Sequence, residues 1–273
     1  MDFLEEGKLY VDRENSYAKL EEYEDYKNLI VDVINSGLNK DYPVKEDWRG
    51  IIDDKFGVLE GGIEEKDKKA RAEKAEALRI MESSRISILL GRAGTGKTTA
   101  LSLFASSREI KEGGVLALTP TGKSRVQLEN HFRESKAEAD FMTAAQFLLK
   151  SGGYNWETMS YKLPNKPSTS IAKTVIIDEC SMLTEVMFAG ILKLIDSHAE
   201  RIIFTGDPNQ LPPIGGGRPF VDLISYMRNY YNKKIGVLTT EMRQGSGGDD
   251  LSFAQVFSNI DLMDKDVIHR IKN

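Results

Sequence analysis

Residues 90–99 read LGRAGTGKTT and hold a complete GxxxxGK[ST] pattern between Gly91 and Thr98. The apolar run ISILL at residues 86–90 precedes the pattern, which predicts a strand, a loop and a helix in that order. In such a loop the glycines let successive backbone N–H groups turn inward around phosphate oxygens. A glycine-rich turn that only joins a strand to a helix is the alternative, but the complete pattern in this context favours a phosphate-binding loop.

The side chains at the end of this loop complete the predicted nucleotide site. Lys97 can reach the β- and γ-phosphates, and the Thr98 hydroxyl can coordinate Mg²⁺. We therefore expect Mg²⁺ and a nucleoside triphosphate, ATP or another, as cofactors. The residues expected to bind the nucleotide are Gly91, Ala93, Gly94, Thr95, Gly96, Lys97, Thr98 and Thr99.

Four further apolar runs of strand length follow along the chain. They are VLAL, TVII, RIIF and GVL, at residues 115–118, 174–177, 201–204 and 236–238. Continuous rather than alternating apolar runs are typical of strands that are buried on both faces. They predict a doubly wound α/β fold with a parallel sheet flanked by helices. Ligands of such sheets bind beyond the carboxyl ends of the strands, so the residues after each run are candidates for chemistry.

Polar residues that suit nucleotide hydrolysis follow three of these runs. Asp178 and Glu179 follow TVII, where Asp178 can hold Mg²⁺ and Glu179 can orient or deprotonate the attacking water. Two adjacent acids can also cap the helix expected to start near Ser181. Gln210, after RIIF, offers an amide that can sense a γ-phosphate, and Arg243, after GVL, can act as an arginine finger or be a surface cation.

Composition indicates a globular protein without secretion or membrane signals. The chain has 273 residues, 40% of them hydrophobic and 29% charged, and its one cysteine, Cys180, excludes an internal disulfide. The N-terminal stretch MDFLEEGKLY lacks the pattern of a signal peptide, and no apolar run approaches the ~20 residues of a membrane span. We expect no membrane partner and a cytoplasmic location.

Acidic residues are concentrated in the first part of the chain. Residues 1–82 hold 14 Lys+Arg and 22 Asp+Glu, whereas residues 83–273 hold 23 and 20. The spacing of apolar residues predicts an amphipathic helix between Asn15 and Gly37, and the segment 64–83 is rich in helix formers. We expect an acidic helical leader over 1–82. The weak positive balance of the remainder neither requires nor excludes a nucleic-acid partner.

Five segments resemble, in order, motifs I, Ia, II, III and IV of superfamily 1 helicases, most closely the 5′-to-3′ branch with RecD-like enzymes. The segments are GRAGTGKTT, LTPTGKSRVQL, VIIDECSML, GDPNQLPPIGGG and LTTEMRQ, and they lie within residues 78–244. The strings DECSM and GDPNQLPP distinguish this family from other P-loop ATPases. The resemblance implies a RecA-like P-loop domain.

The resemblance also implies a function and further roles. It implies an ATP-dependent helicase or translocase motor, which is a P-loop hydrolase. The expected partner is single-stranded nucleic acid, and DNA is favoured over RNA. The residues implied in catalysis are Lys97, Glu179, Gln210 and Arg243, with Thr98 and Asp178 at the metal. Motif Ia implies that Pro120, Thr121, Gly122 and Lys123 contact the nucleic-acid backbone, although these residue types also suit an ordinary strand-to-helix turn.

Three departures from the family pattern accompany the resemblance. Lys74 stands where the family commonly has a glutamine that reads adenine, so another purine triphosphate is an open alternative. Thr143 is followed two residues later by Ala145 rather than by histidine. Segments resembling motifs V and VI do not follow, so we expect a fragment that binds nucleotide without unwinding duplexes and that needs a second motor domain or a protein partner.

The expected organisation has three parts. They are the leader at 1–82, a RecA-like nucleotide-binding domain at 83–235, and the seam with the start of a second motor domain at 236–273. A small insert at 151–173 contains Tyr154, Trp156 and Tyr161, which suit the core of a hairpin or a platform for stacked bases. A non-translocating ATP-dependent switch and a P-loop ATPase outside the helicases are the alternative functions.

Overall fold

The computed structural model describes residues 9–12, 17–57, 65–164, 172–210 and 212–241. The helices are α1 (Glu21–Leu38), α2 (Trp48–Phe56), α3 (Glu65–Ser83), α4 (Lys97–Ser106), α5 (Arg108–Gly113), α6 (Gly122–Glu134), α7 (Ala144–Lys150), α8 (Glu185–Ile195) and α9 (Pro219–Tyr230). The strands are β1 (Leu9–Asp12), β2 (Tyr17–Leu20), β3 (Ile86–Gly91), β4 (Val115–Thr119), β5 (Asp140–Thr143), β6 (Tyr154–Asn155), β7 (Ser160–Tyr161), β8 (Thr174–Ile177), β9 (Arg201–Gly206) and β10 (Ile235–Leu238).

Six strands form one parallel sheet, in the order β10-β3-β9-β8-β4-β5. All five apolar runs recognised in the sequence are strands of this sheet, and helices cover both of its faces. The predicted α/β fold of the RecA-like P-loop type is confirmed. The edge strand β5 was not predicted, because its sequence DFMT is short and only partly buried, so it lacks the continuous apolar run.

The sheet separates two hydrophobic cores. Side chains alternate along β3, so Ile88 and Leu90 join a core with α1, α7, α8 and α9, whereas Leu89 joins a core with α2, α3, α4 and α6. Gly236 of β10 lies so close to α3 that an added Cβ would be 2.8 Å from the Cβ of Ala77. The α3 helix therefore packs directly on the strand at this edge of the sheet.

The residues of the expected leader belong to the same packed unit as the sheet. The α1 helix packs on α8, α3 packs on β10, and β10 pairs with β3. The helices of the expected leader thus pack on strands and helices of the expected nucleotide-binding domain, and the division at residues 82 and 235 stays a prediction. The expected helix between 15 and 37 begins only at Glu21, because residues 17–20 pair with residues 9–12 as an antiparallel hairpin.

The insert contains a two-stranded antiparallel hairpin, β6 with β7. The Tyr154 ring packs edge-on against Trp156 and Tyr161, with centroid distances of 4.9 and 5.3 Å. These contacts are those of a hairpin core, although Trp156 remains 71% exposed. No helix in the described ranges is long and apolar enough to cross a membrane.

Candidate nucleotide-binding site

The loop between β3 and α4 has a backbone that requires glycine. Gly94 and Gly96 have φ values of 84° and 91°, in the left-handed region that β-carbon-bearing residues avoid. A Cβ added at Gly91 would lie 2.4 Å from Thr95 Oγ1, so the loop closes on itself without room for a side chain. The Thr95 hydroxyl donates to the Arg92 carbonyl at 2.9 Å. The spacing of the GxxxxGK[ST] pattern is therefore explained by the compact turn.

Lys97 lies across this loop. Its side chain is 8% exposed, and Nζ donates to the carbonyls of Gly91 and Arg92 at 2.6 and 3.4 Å. These hydrogen bonds keep the ammonium at the concave side of the loop. Phosphate oxygens that enter the loop would be stronger acceptors than these carbonyls, because they carry charge.

A cleft of about 630 Å³ opens in front of the loop. The cleft lies at the carboxyl ends of β3, β8 and β9. The predicted residues that line it are Ala93, Gly94, Gly96, Lys97, Thr98, Thr99, Asp178, Glu179 and Gln210. Residues far apart in sequence are thus brought to one place, as parallel strands require. Arg243 lies outside the described residues.

Helix α6 supplies a wall of the cleft that the sequence did not indicate. Ser124, Gln127, Leu128 and His131 line this wall, and His131 Nε2 lies 3.3 Å from Thr99 Oγ1. These residue types are common on any helix surface, so no local signal assigned them to the cleft. They form a part of the cleft wall that lies outside the GxxxxGK[ST] segment.

Asp178 is a buried carboxyl group at the end of β8. Burial, followed by the charge of Glu179, raises the pKa of Asp178 to about 7, and Lys97 opposes the shift. The ionised form of this carboxyl group is unstable, because burial penalises the charge. A cation or a donor in the cleft would stabilise that form.

Glu179 adopts an unusual backbone conformation beside Asp178. Its φ and ψ are 53° and 43°, a left-handed conformation that is strained for glutamate. Its Oε2 is buried without a hydrogen-bond partner among the described residues, and its side chain makes no capping hydrogen bond to the 3₁₀ turn at Cys180–Met182. Glu179 thus occupies the N-cap position of this turn without a side-chain capping hydrogen bond, and it lines the cleft.

The oxygen groups here fit Mg²⁺. Thr98 and Asp178 line the same cleft, and Mg²⁺ prefers oxygen ligands, usually one or two carboxylates together with phosphates. The parts of the chain that the structure describes contain no cluster of three or more His, Cys, Asp or Glu able to hold a metal without such phosphates. The donor set thus suits an ion that arrives with a nucleotide.

Replacing Asp178 by Asn is expected to stabilise the fold in Mg²⁺-free buffer at high pH. The raised pKa means that the folded state binds more protons than the unfolded state between about pH 4 and 7, so wild-type stability falls as pH rises through that window. Above pH 7 the variant should gain on the order of 4 kcal/mol in unfolding free energy, and near pH 4 almost nothing. Urea titrations across this range check the expectation, with exposed Asp54→Asn as control; a pH-independent difference would contradict it.

The motif Ia residues lie at the turn between β4 and α6. Thr121 is the N-cap of α6, and its Oγ1 accepts a hydrogen bond from Ser124 N at 3.1 Å. Pro120 is partly buried, while Gly122 and Lys123 are exposed. The Thr121 hydroxyl therefore has a structural role, whereas the surface of the turn is open. Thr143 likewise forms a capping box with Gln146 at the start of α7.

Comparison with known proteins gives a family match. The model of an AAA domain family matches residues 69–256, more than half of the chain. An uncharacterised protein of Methanocaldococcus jannaschii is 29% identical over 83% of this chain and 20% of its own length. The RecBCD enzyme subunit RecD of Mycobacterium tuberculosis is 26% identical over 64% of this chain and 35% of its own length.

Among solved structures, a Pif1 helicase from Bacteroides in complex with ADP-AlF3 and ssDNA aligns with a TM-score of 0.40 and 20% identity, over 72% of this chain and 45% of that one. The chain spans only about a fifth to a third of the curated relatives named above. From the family match and the loop geometry, the chain belongs to the AAA domain family and carries the P-loop of a nucleoside triphosphate hydrolase.

Proposed function

We propose that this chain is an ATP-dependent motor domain of the helicase class, which binds and hydrolyses a Mg-nucleoside triphosphate in coupling to single-stranded DNA. One observation carries the hydrolase part: the cleft brings Lys97, Thr98, Asp178, Glu179 and Gln210 together at the strand ends. The ordered helicase-like motifs and the similarity to RecD subunits support the motor part. A cytoplasmic location, and closure of the cleft by a second motor domain or a protein partner, belong to the same proposal.

Each residue of the cleft has a task in this proposal. The loop amides and Lys97 hold the phosphates, and Thr98 and Asp178 would hold Mg²⁺, which neutralises charge on the phosphate oxygens when bound. Glu179 orients the attacking water and accepts its proton, while the water oxygen bonds to the γ-phosphorus and the bond to the β-phosphate oxygen breaks. Gln210 contacts the γ-phosphate, and Arg243 stabilises the transition-state charge.

The DNA would contact a surface separate from the nucleotide cleft. We place its backbone against the turn of Pro120, Thr121, Gly122 and Lys123, where Lys123 is exposed. Because Thr121 Oγ1 is already used to cap α6, the contact falls to backbone groups and to Lys123. Movement of α6, whose other residues line the nucleotide cleft, would then link the two ligands.

The proposal is tested by phosphate release from Mg-ATP with and without a single-stranded oligonucleotide, at fixed ionic strength. We expect the oligonucleotide to stimulate hydrolysis, and added salt to reduce that stimulation because phosphate contacts release counterions. Hydrolysis without stimulation by DNA would indicate the non-translocating switch or another P-loop ATPase. Failure to hydrolyse under either condition would contradict the enzymatic proposal.

Replacing Lys97 by Ala is expected to weaken binding of Mg-ATP about ten- to a hundredfold, since one charge-assisted phosphate contact contributes about 1.5–3 kcal/mol. Calorimetric titration measures the change. Lys111→Ala is the matched control, because Lys111 pairs with Glu138 on the surface and does not line the cleft. Equal affinities for wild type and Lys97→Ala would refute the assignment of Lys97.

A further inference from the structure

We propose that Lys74 is a second phosphate-binding lysine, which contacts the triphosphate from the α3 side of the loop. The inference rests on the proposed nucleotide site and adds to it a residue outside the GxxxxGK[ST] pattern. It also assigns a chemical role to a position at which the sequence left the choice of base open.

The Lys74 side chain lies directly against the phosphate-binding loop. A Cβ added at Gly96 would be 2.9 Å from Lys74 Cε and 3.3 Å from its Nζ. Gly96 lines the nucleotide cleft and immediately precedes Lys97 at the start of α4, whereas Lys74 approaches Gly96 from outside the residues that line the cleft. The ammonium of Lys74 is thus held beside the backbone that is expected to bind phosphate.

Lys74 has no hydrogen-bond or ion-pair partner among the described residues. The nearby acids of α3 are already engaged. Asp67 pairs with Arg71 at 3.3 Å, and Glu73 accepts hydrogen bonds from the backbone N–H groups of Thr239 and Thr240 at 2.8 and 3.1 Å. The carboxylates of Asp67 and Glu73 on α3 therefore bind other groups, and the ammonium of Lys74 lies beside the loop without either of them as a hydrogen-bond partner.

Burial disfavours the charged form of Lys74. Lys74 is only 5% exposed, and burial lowers its pKa although the charges of Asp67 and Glu73 oppose the shift. An unpaired cation on a largely buried side chain is unfavourable, and such charges are normally paired. An anion bound in the adjacent loop would supply the missing partner, which explains why a lysine occupies this position.

The chemistry of the ammonium favours phosphate over the base. A lysine can only donate hydrogen bonds, and the densest set of acceptors near a phosphate-binding loop is the phosphate chain itself. Phosphates are shared by all nucleoside triphosphates. Lys74 should therefore increase affinity equally for Mg-ATP and Mg-GTP rather than select between them.

The test compares wild type with Lys74→Met by calorimetry, titrating Mg-ATP and Mg-GTP separately, and by thermal melting without nucleotide. We expect the variant to bind both nucleotides about ten- to a hundredfold more weakly. We also expect its Tm without nucleotide to rise by about 2–4 °C, because an unpaired charge on a largely buried side chain is gone. Lys68→Met is the matched control, since Lys68 lies exposed on the same helix, and it should change neither quantity.

Three results would overturn the inference. Unchanged affinity of Lys74→Met for both nucleotides would show that Lys74 does not contact the ligand. Weaker binding of only one nucleotide would assign Lys74 to the base instead of the phosphates. A lower Tm without nucleotide, together with unchanged affinity, would identify a structural residue. If wild type itself bound neither nucleotide, the proposed function would fail as well, so the two failures are distinguishable.

Discussion

Replacing Glu179 by Gln is expected to slow nucleotide hydrolysis by about 10²–10⁴-fold, the usual contribution of a general base. Affinity for Mg-ATP should change little, because the amide keeps the shape of the carboxylate. The strained backbone at Glu179 and its buried Oε2 support this role, since both indicate a carboxylate held for a partner that the described residues do not provide. Single-turnover phosphate release at saturating nucleotide measures the effect.

The control for this experiment is Glu112→Gln, which alters an exposed glutamate paired with Arg108 on α5. That variant should hydrolyse at the wild-type rate. Wild-type turnover by Glu179→Gln would leave Glu179 only as the residue that begins the 3₁₀ turn. Loss of nucleotide binding in Glu179→Gln would place the side chain in ground-state binding instead of catalysis.

Replacing Phe104 by Ala is expected to reduce the free energy of unfolding by about 3–5 kcal/mol. Phe104 is fully buried on α4, the helix that begins at Lys97, and it stacks on Trp48 of α2 with ring centroids 5.7 Å apart. Its removal would leave a cavity between the phosphate-binding helix and the expected leader. Urea unfolding monitored by circular dichroism measures the loss.

Phe56→Ala is the matched control, because Phe56 also lies on α2 but is 45% exposed. We expect a loss below about 1 kcal/mol there. A small loss for Phe104→Ala would contradict the packing of α2 against α4. A separate early transition in the wild-type unfolding curve would contradict the inclusion of the first helices in one packed unit.

The strands and the loop could be predicted from sequence because both have local causes. Buried parallel strands need continuous apolar runs such as ISILL, and the left-handed turns of the loop need glycine at positions such as Gly94 and Gly96. The edge strand β5 was not predicted, because a half-buried edge strand does not need a continuous apolar run. The packing of α1 on α8 and of α3 on β10 was not predicted, because it depends on contacts between residues that are distant in the sequence.

The sequence predicted the candidate site residues that directly follow strands. It did not predict the residues that helix α6 contributes to the cleft. Asp178, Glu179 and Gln210 were predicted because each follows a strand, whereas the α6 wall with His131 depends on how that helix packs. The sequence revealed only part of what makes Lys74 a candidate binding residue. The sequence shows its position upstream of the loop, but its lack of a partner among the described residues follows from the three-dimensional contacts of Asp67 and Glu73.

The most direct test of the central claim is hydrogen–deuterium exchange of the wild-type chain with and without saturating Mg-ATP. We predict that nucleotide slows exchange in residues 91–99 and in the cleft-facing part of α6, and that exchange in the β6–β7 hairpin is unchanged, because the hairpin does not line the cleft. Unaltered exchange in residues 91–99 at saturating nucleotide, or protection confined to another part of the chain, would contradict nucleotide binding at this loop.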